Sequence, residues 1–285
     1  MDRPRRELKQ HVAGRDNLCL GIGRQGLAVN DAVWHLVAVS RSPIDCNVFR
    51  RGGVDVCPLY LYPDPGQLIE EWQWPPGRDG RRPNLAPAFV RAAEERLRLT
   101  FVPDGQGDLD TTFGPEDVFH YLYAVLHAPT YRQRYAEFLR IDFPRVPLTA
   151  DRELFRVLVA KGATLVALHL LESPRLNTLS TTYPVGGDNE VVHVRYIPPG
   201  RDGEGQPTPG RVSINATQYF AGVAPDVWAF RVGGYQVLEK WLKDRRGRRL
   251  SFDDLMHYQK VVVAVQETMR LMEEIDAAIP RWPIE

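Results

Sequence analysis

The sequence predicts an α+β protein: mixed small sheets, a central helical segment and a long C-terminal helix of spacer type. Three observations lead there. The first third alternates short β-forming runs with polar turns. The middle carries apolar residues at helical spacing between clear start and stop signals. The last third returns to strands, then closes on one helix whose apolar positions step by three and four.

In the first third the strand-like runs are "NLCLGIG" (17–23), "WHLVAVS" (34–40) and "VCPLYLYP" (56–63). Their connectors, around Arg24-Gln25, Ser40-Arg41-Ser42 and Asn47 to Arg51, are polar and basic. Residues 64–85 include "PPGRDGRRPN", a Pro/Gly/Arg loop that reads as a surface excursion. The first predicted helix opens with Pro115 at N1 and Glu116 and Asp117 in its first turn, where acids favour the helix dipole. Val118, Phe119, Leu122, Val125 and Leu126 then share one face. Ala128-Pro129-Thr130 breaks that helix and restarts it. Tyr131, Tyr135, Phe138 and Leu139 form the new inner face, which leaves Arg132 and Arg140 pointing elsewhere.

A third helix follows from about Asp151, with Leu154, Phe155, Leu158, Leu165 and Val166 inward, ending at Ser173-Pro174. "EVVHVRYI" (190–197) and "GRVSINATQYF" (210–220) form a hairpin across a Gly/Pro-rich loop, and a short helix begins at Tyr235. Ser251 and Asp254 make a capping-box-like start for the closing helix. Its apolar positions 258, 262, 265, 269, 272, 275 and 279 approximate a coiled-coil seam. At 1.5 Å per residue it is roughly 40 Å long, a rod rather than a core filler. The expected organisation is a recognition lobe (1–110), a helical scaffold (111–175), and a second strand pair with the C-terminal helices (176–285).

Composition narrows the function classes. With 36 basic and 36 acidic side chains the formal charge is zero, so no global basic signal points to nucleic acid. The charge is segregated, however. Residues 1–60 hold nine Arg or Lys against six acids, and Lys240 to Arg249 holds six against Asp244 alone. A neutral chain can present a basic face this way. Three cysteines without C-x-x-C spacing read as reduced and intracellular rather than as a zinc ribbon. No apolar run reaches the length of a membrane span, and the N-terminus lacks the apolar stretch of a signal peptide, so a soluble cytoplasmic chain is expected.

No catalytic or metal-binding constellation emerges. "GIGRQG" (21–26) matches the dinucleotide fingerprint G-x-G-x-x-G after a strand. That chemistry needs a helix N-terminus directly after the glycines, and "LAVNDAVWHLVAVS" leaves fewer than ten residues before the next strand. A hairpin-type turn is the better reading. His120 and His127 lie two turns apart on one helix, outside any zinc pattern. Cys19 and Cys57 fall in apolar strands, where thiols are inert, and no G-x-S-x-G elbow occurs. Two arginine settings remain. "DFPRVPL" fixes Arg145 in a proline-stiffened segment, as a helix-capping ion pair or as a directed contact. "EKWLKDRRGRR", anchored by Trp241 and Leu242, is a solvated loop or a phosphate-contacting one.

"TFGPEDVFHYLYAVLHAPTYRQRYAEFLRIDFPRVPLT", "GRVSINATQYFAGV" and "GGYQVLEKWLKDRRGRRLSFDDLMHYQKVV" together resemble the C-terminal specificity region of type ISP restriction–modification enzymes, and "WHLVAVSRSPID" and "CPLYLYPD" fit the same region. Such enzymes join a nuclease, a helicase-like motor, an N6-adenine DNA methyltransferase and a target-recognition domain in one polypeptide. "DFPRVPL" also resembles the junction that joins recognition domains to spacer helices in type I specificity subunits. One departure is Ala216, where family members often carry lysine. The [N/D]-P-P-[Y/F] loop that holds a flipped adenine is absent from the sequence.

The resemblance implies a DNA target-recognition domain without chemistry of its own, whose partners are double-stranded DNA and the methyltransferase domain of the parent polypeptide. S-adenosylmethionine, ATP and Mg2+ are then expected of that parent enzyme and no cofactor of this chain. The implied DNA contacts are Arg24, Gln25, Arg41, Ser42, Asn47, Arg50, Arg51, Arg132, Arg145, Lys240, Lys243, Arg245, Arg246 and Arg248. Arginine and glutamine can make bidentate contacts to guanine and adenine, and clustered cations can grip phosphate. Two alternatives stand beside this reading: a complete S-adenosylmethionine-dependent methyltransferase using "GIGRQG", and a non-catalytic protein-interaction scaffold.

Overall fold

A computed structural model describes residues 6–24, 33–45, 47–50, 53–63 and 74–285. Two compact units divide the chain: Met1–Leu170 together with Leu271–Glu285, and Leu171–Arg270. This differs from the three consecutive segments expected. The helical stretch is not a separate scaffold, because its helices interlock with each other and pack on the N-terminal sheet.

The first unit opens with helix α1 (Arg6–Val12) and a three-stranded antiparallel sheet of β1 (Cys19–Ile22), β2 (Val37–Ser40) and β3 (Asp55–Pro58), with β1 in the centre. Trp34 anchors it: the indole is fully buried and donates to the Gly23 carbonyl at 3.0 Å. Strand β4 (Tyr60–Leu61) pairs with β5 (Arg82–Pro83), and helix α2 (Pro87–Leu97) leads into a parallel pair, β6 (Thr100–Phe101) and β7 (Thr112–Phe113).

Helix α3 (Pro115–His127) starts at the predicted proline. It is buried almost all round, with Tyr121, Tyr123 and Ala124 joining the predicted apolar face, so it is the axis of the unit's core. Helix α6 (Arg152–His169) crosses it closely, capped by the Asp151 carboxylate, which accepts from the backbone N–H of Glu153 and Leu154. Gly162 makes that approach possible, since a Cβ there would lie 1.9 Å from the His120 carbonyl oxygen. Between them run α4 (Pro129–Arg134) and α5 (Ala136–Ile141). The C-terminus also belongs to this unit: the Glu285 carbonyl accepts from Ala150 N–H and Thr149 Oγ1, both at 3.0 Å.

In the second unit β8 (Arg195–Ile197) leads to a two-stranded extension, β9 (Gly200–Arg201) with β10 (Pro207–Thr208). Strand β11 (Arg211–Ser213) then lies between β8 and β12 (Tyr219–Ala221), all antiparallel, so the stretch 210–220 expected as one hairpin strand is divided by a turn into two. Helix α7 (Pro225–Ala229), a strand pair β13 (Arg231–Val232) and β14 (Tyr235–Gln236), and helix α8 (Val237–Lys243) complete the layer. The closing helix α9 (Phe252–Ala278) has the predicted cap: Ser251 Oγ accepts from Asp254 N–H at 3.1 Å, and Ser251 N–H donates to the Asp254 carboxylate at 3.0 Å.

The rod expected of α9 is corrected. Tyr258, Val262 and Val265 fill the core of the second unit with Val212, Phe220 and Leu238, while Leu271 and Ile275 are buried in the first. Its seam is consumed inside the chain because strands too short to bury their own apolar face need a helix against them.

Candidate nucleic-acid interface

Of the predicted contact residues, Gln25 and Arg51 lie outside the described residues. The others divide into those the fold uses internally and those it leaves to solvent.

In the first unit the loop residues do not form one surface. The register of β1 against β2 and β3 puts Arg24 at the end where Ile22 faces Val37 and Asp55. Residues 47–50 approach the same end, since Phe49 lies against Gly23. Arg50 and Asn47 are exposed there. Arg41 and Ser42 sit at the opposite end, where Cys19 faces Ser40, a separation of about 10 Å along a four-residue strand. Arg41 pairs with Asp16 at 3.6 Å, and Ser42 N–H donates to Ser40 Oγ in a local turn. These two residues brace a corner.

Arg132 is a correction. It is 5% exposed, its Nε donates to the Leu126 carbonyl at 2.7 Å, and its guanidinium lies 5.8 Å from the Trp34 ring centroid. Burial lowers its pKa to about 10. The restart at Pro129 turns both Tyr131 and Arg132 inward, so no duplex can reach this side chain. Phe138 is the converse: expected inside, it is 67% exposed, because the chain breaks again at Tyr135 and shifts the phase of α5.

"DFPRVPL" is held by tyrosine hydroxyls. Tyr131 donates to the Arg145 carbonyl at 3.0 Å and Tyr121 to that of Pro147 at 2.7 Å. The Arg145 side chain is 90% exposed and pairs with Asp142 at 3.1 Å. The Phe143 N–H and the Arg145 guanidinium, with a further contribution from Arg24, hold the Asp142 carboxyl below its usual range. Arg24 also lies over the Phe143 ring, 5.2 Å from its centroid. The structure thus joins two predicted sites, Arg24 and Arg145, beside a cavity of about 350 Å³ lined by Tyr131, Phe138, Phe143 and Val146.

In the second unit the basic run after Trp241 is sorted by its neighbours. Lys240 pairs with Asp244 at 2.6 Å and Lys243 with Glu239 at 3.0 Å, both at i,i+4 spacing. Arg245 stacks 3.5 Å from the Trp241 centroid, donates to the Trp241 carbonyl and faces Asp254 at 3.9 Å. These three reinforce helix ends. Beyond them the turn folds back: Gly247 N–H donates to the Val191 carbonyl, and Val191 N–H to that of Arg248. Gly247 has φ +77°, a conformation favouring glycine. Arg246 Nε donates to the Val192 carbonyl, which aims the guanidinium along this rim. Arg248 and Arg249 are exposed and have no ion pair among the described residues.

Sequence reasoning missed Arg195, Arg211 and Arg249. The period-two alternation of Arg211-Val212-Ser213-Ile214 already placed Arg211 on the face opposite the core. Asn215 and Gln218, prominent in "INATQYF", are used internally. Gln218 is 1% exposed and bonds Asn215, Asn189 and the Val185 carbonyl. The tip residues Ala216 and Thr217 are exposed.

Nothing in this arrangement supports the dinucleotide reading of "GIGRQG". The strand after it lies antiparallel beside β1, whereas the phosphate-binding βαβ unit requires a parallel crossover. The Cys19 thiol is pushed up to about 11 by burial, away from nucleophilic use. Among the described residues no cluster of three or more His, Cys, Asp or Glu could hold a metal, and no helix is long and apolar enough to cross a membrane.

The described residues form a small-sheet α+β chain with exposed arginines on its turns and strand faces. Its sequence matches the family described as the type ISP C-terminal specificity domain over residues 1–274, and the chain belongs to that family. Three solved structures share the fold. A DrdV–DNA complex is 22% identical with a TM-score of 0.64, covering 94% of this chain and 26% of its own. The type ISP enzyme LlaBIII bound to DNA is 16% identical with a TM-score of 0.66, covering 99% and 17%. A nuclease-deletion mutant of LlaGI with a DNA substrate mimic is 19% identical with a TM-score of 0.61, covering 98% and 23%. This chain therefore spans only 17% to 26% of those chains. No curated protein matches it.

Proposed function

We propose that this chain is the part of a restriction–modification system that recognises a specific sequence in double-stranded DNA. On this reading methylation and cleavage are carried out by other domains, including an N6-adenine methyltransferase domain of the same polypeptide, to which S-adenosylmethionine, ATP and Mg2+ belong. The cytoplasm is where such a system would meet its DNA. The observation that carries the reading is the sorting of arginines in a family of specificity domains. Arg246, Arg248 and Arg249 are exposed on one turn and make no ion pair among the described residues, even though Glu190 bridges to Arg249 through the backbone and the chain as a whole is neutral. A solvated helix end would be expected to pair its cations locally, as Lys240 and Lys243 do.

The test is the salt dependence of binding to a fluorescent 30-base-pair duplex. Arg246→Ala, Arg248→Ala and Arg249→Ala should each weaken binding to every duplex alike and lower the slope of log K against log salt by about 0.9 per lost phosphate contact. Lys240→Ala and Lys243→Ala should leave the slope unchanged. Equal slopes for all five variants would leave the rim as merely solvated.

A further inference from the structure

The solvent face of the sheet β8–β11–β12 carries a second, more selective feature. Direct register places Arg195, Ser213 and Tyr219 in one row across the three strands, and Ile197, Arg211 and Ala221 in the next. The intervening residues Tyr196, Val212 and Phe220 turn to the core, where Val212 and Phe220 are fully buried. Thr182 bridges to Ala221 and extends the second row. None of these seven face positions is acidic, and both arginines are exposed.

The two arginines are held differently. The Arg211 guanidinium lies 4.9 Å from the Tyr219 ring centroid, diagonally across the strand pair. A guanidinium stacked on an aromatic ring keeps its plane and its fork of donors fixed, which favours bidentate contacts. Among the described residues no ring supports Arg195 in this way: Ser213, its neighbour across the pair, is small. The floor between them, Ser213 and Ala221, is small enough to let a ligand approach the backbone. Three strands span roughly 10 Å, against a major groove about 12 Å wide. The rim described above adjoins this sheet, because Arg246 bonds Val192, whose own N–H donates to Ile214 at the end of β11.

We propose that this sheet face enters the major groove, with Arg211 reading a guanine through its two acceptors, Tyr219 positioning that guanidinium, and Arg195 holding an adjacent phosphate. The assignment rests on the reading that the chain recognises DNA sequence, and it gives that recognition a reading residue.

The probe is the duplex that the chain itself enriches from a randomised library, with its single-base variants and a scrambled control. Arg211→Ala and Arg211→Lys should each lose about 10- to 100-fold discrimination at one G·C pair, with the scrambled duplex bound within twofold of wild type. Lysine keeps the charge and loses the fork, so its failure separates geometry from electrostatics. Tyr219→Phe should keep the discrimination and Tyr219→Leu should lose part of it. Arg195→Ala should weaken all duplexes equally. Retained base preference in both Arg211 variants would overturn the proposal. So would an equal loss on cognate and scrambled duplexes, which would make Arg211 a phosphate contact. If the wild-type chain enriches no duplex, sequence recognition itself fails and takes this assignment with it, an outcome visible before any variant is made.

Discussion

Gly162→Ala is the substitution with the sharpest structural consequence. A glycine inside an exposed helix is normally improved by alanine by about 1 kcal/mol, so propensity alone predicts stabilisation. Here the new Cβ would sit 1.9 Å from the His120 carbonyl oxygen, with the carbonyl carbon at 2.6 Å. Ordinary contact needs at least 3.4 Å, so α6 must retreat from α3 by about 1.5 Å. The clashing atoms are backbone, so no rotamer change relieves them. Overpacking of this kind costs about 1–3 kcal/mol, and separating two helices that share Leu158, Leu165 and the aromatic face of α3 puts this site at the upper end. The expected net effect is a loss of about 1–2 kcal/mol after the propensity gain. Urea unfolding gives the free energy, and hydrogen exchange on α3 and α6 peptides should rise while peptides from 200–250 stay protected. An unchanged or raised midpoint would refute the close crossing of these two helices.

Acid should weaken the first unit before its carboxylates titrate. Burial lowers His120 and His169 to about 4 and holds His127 well below the ordinary imidazole value, with the Arg132 charge adding to the effect on His127 and His169. The folded state therefore favours neutral imidazoles. Their contribution is complete above pH 6.5, the unfolded value, and is lost as pH falls towards 4, by up to about 3 kcal/mol for a fully buried ring. Urea midpoints between pH 7.5 and 4.5 should fall on that schedule, and a flat profile would contradict the burial. Arg132→Ala should cost about 2 kcal/mol or more of stability, because it leaves a buried peptide acceptor at Leu126 unpaired. Its signature is a lower thermal midpoint with the salt slope of DNA binding unchanged, and a changed slope would return Arg132 to the interface.

The fold was legible where sequence carries local punctuation. Pro115, Asp151 and the Ser251–Asp254 pair start their helices where expected, and alternation marks the stretch 210–220 as extended, though not the turn that divides it into β11 and β12. Phase was harder to read. Each break, at Ala128-Pro129 and again at Tyr135, rotates the next helix by an amount no periodicity records, which is why Arg132 went inside and Phe138 outside. The seam of α9 was visible, but its partner was not, since a 3/4 alternation serves a second helix or a sheet equally well.

The candidate site was legible as a composition and not as a surface. Six basic residues in ten identified the run after Trp241, yet only the fold separates Lys240, Lys243 and Arg245, which are matched internally, from Arg246, Arg248 and Arg249. "INATQYF" stood out for its amides, but those amides knit the loop together, and the flanking Arg211 and Tyr219 face solvent instead.

Selection from a randomised duplex library tests the central claim most directly. The chain, incubated with a library at near-physiological salt, should enrich one short motif over successive rounds, and the recovered duplex should bind about a thousandfold or more tighter than a scrambled one. Recovery of an unchanged library, with binding that falls with salt and ignores sequence, would contradict sequence recognition by this domain.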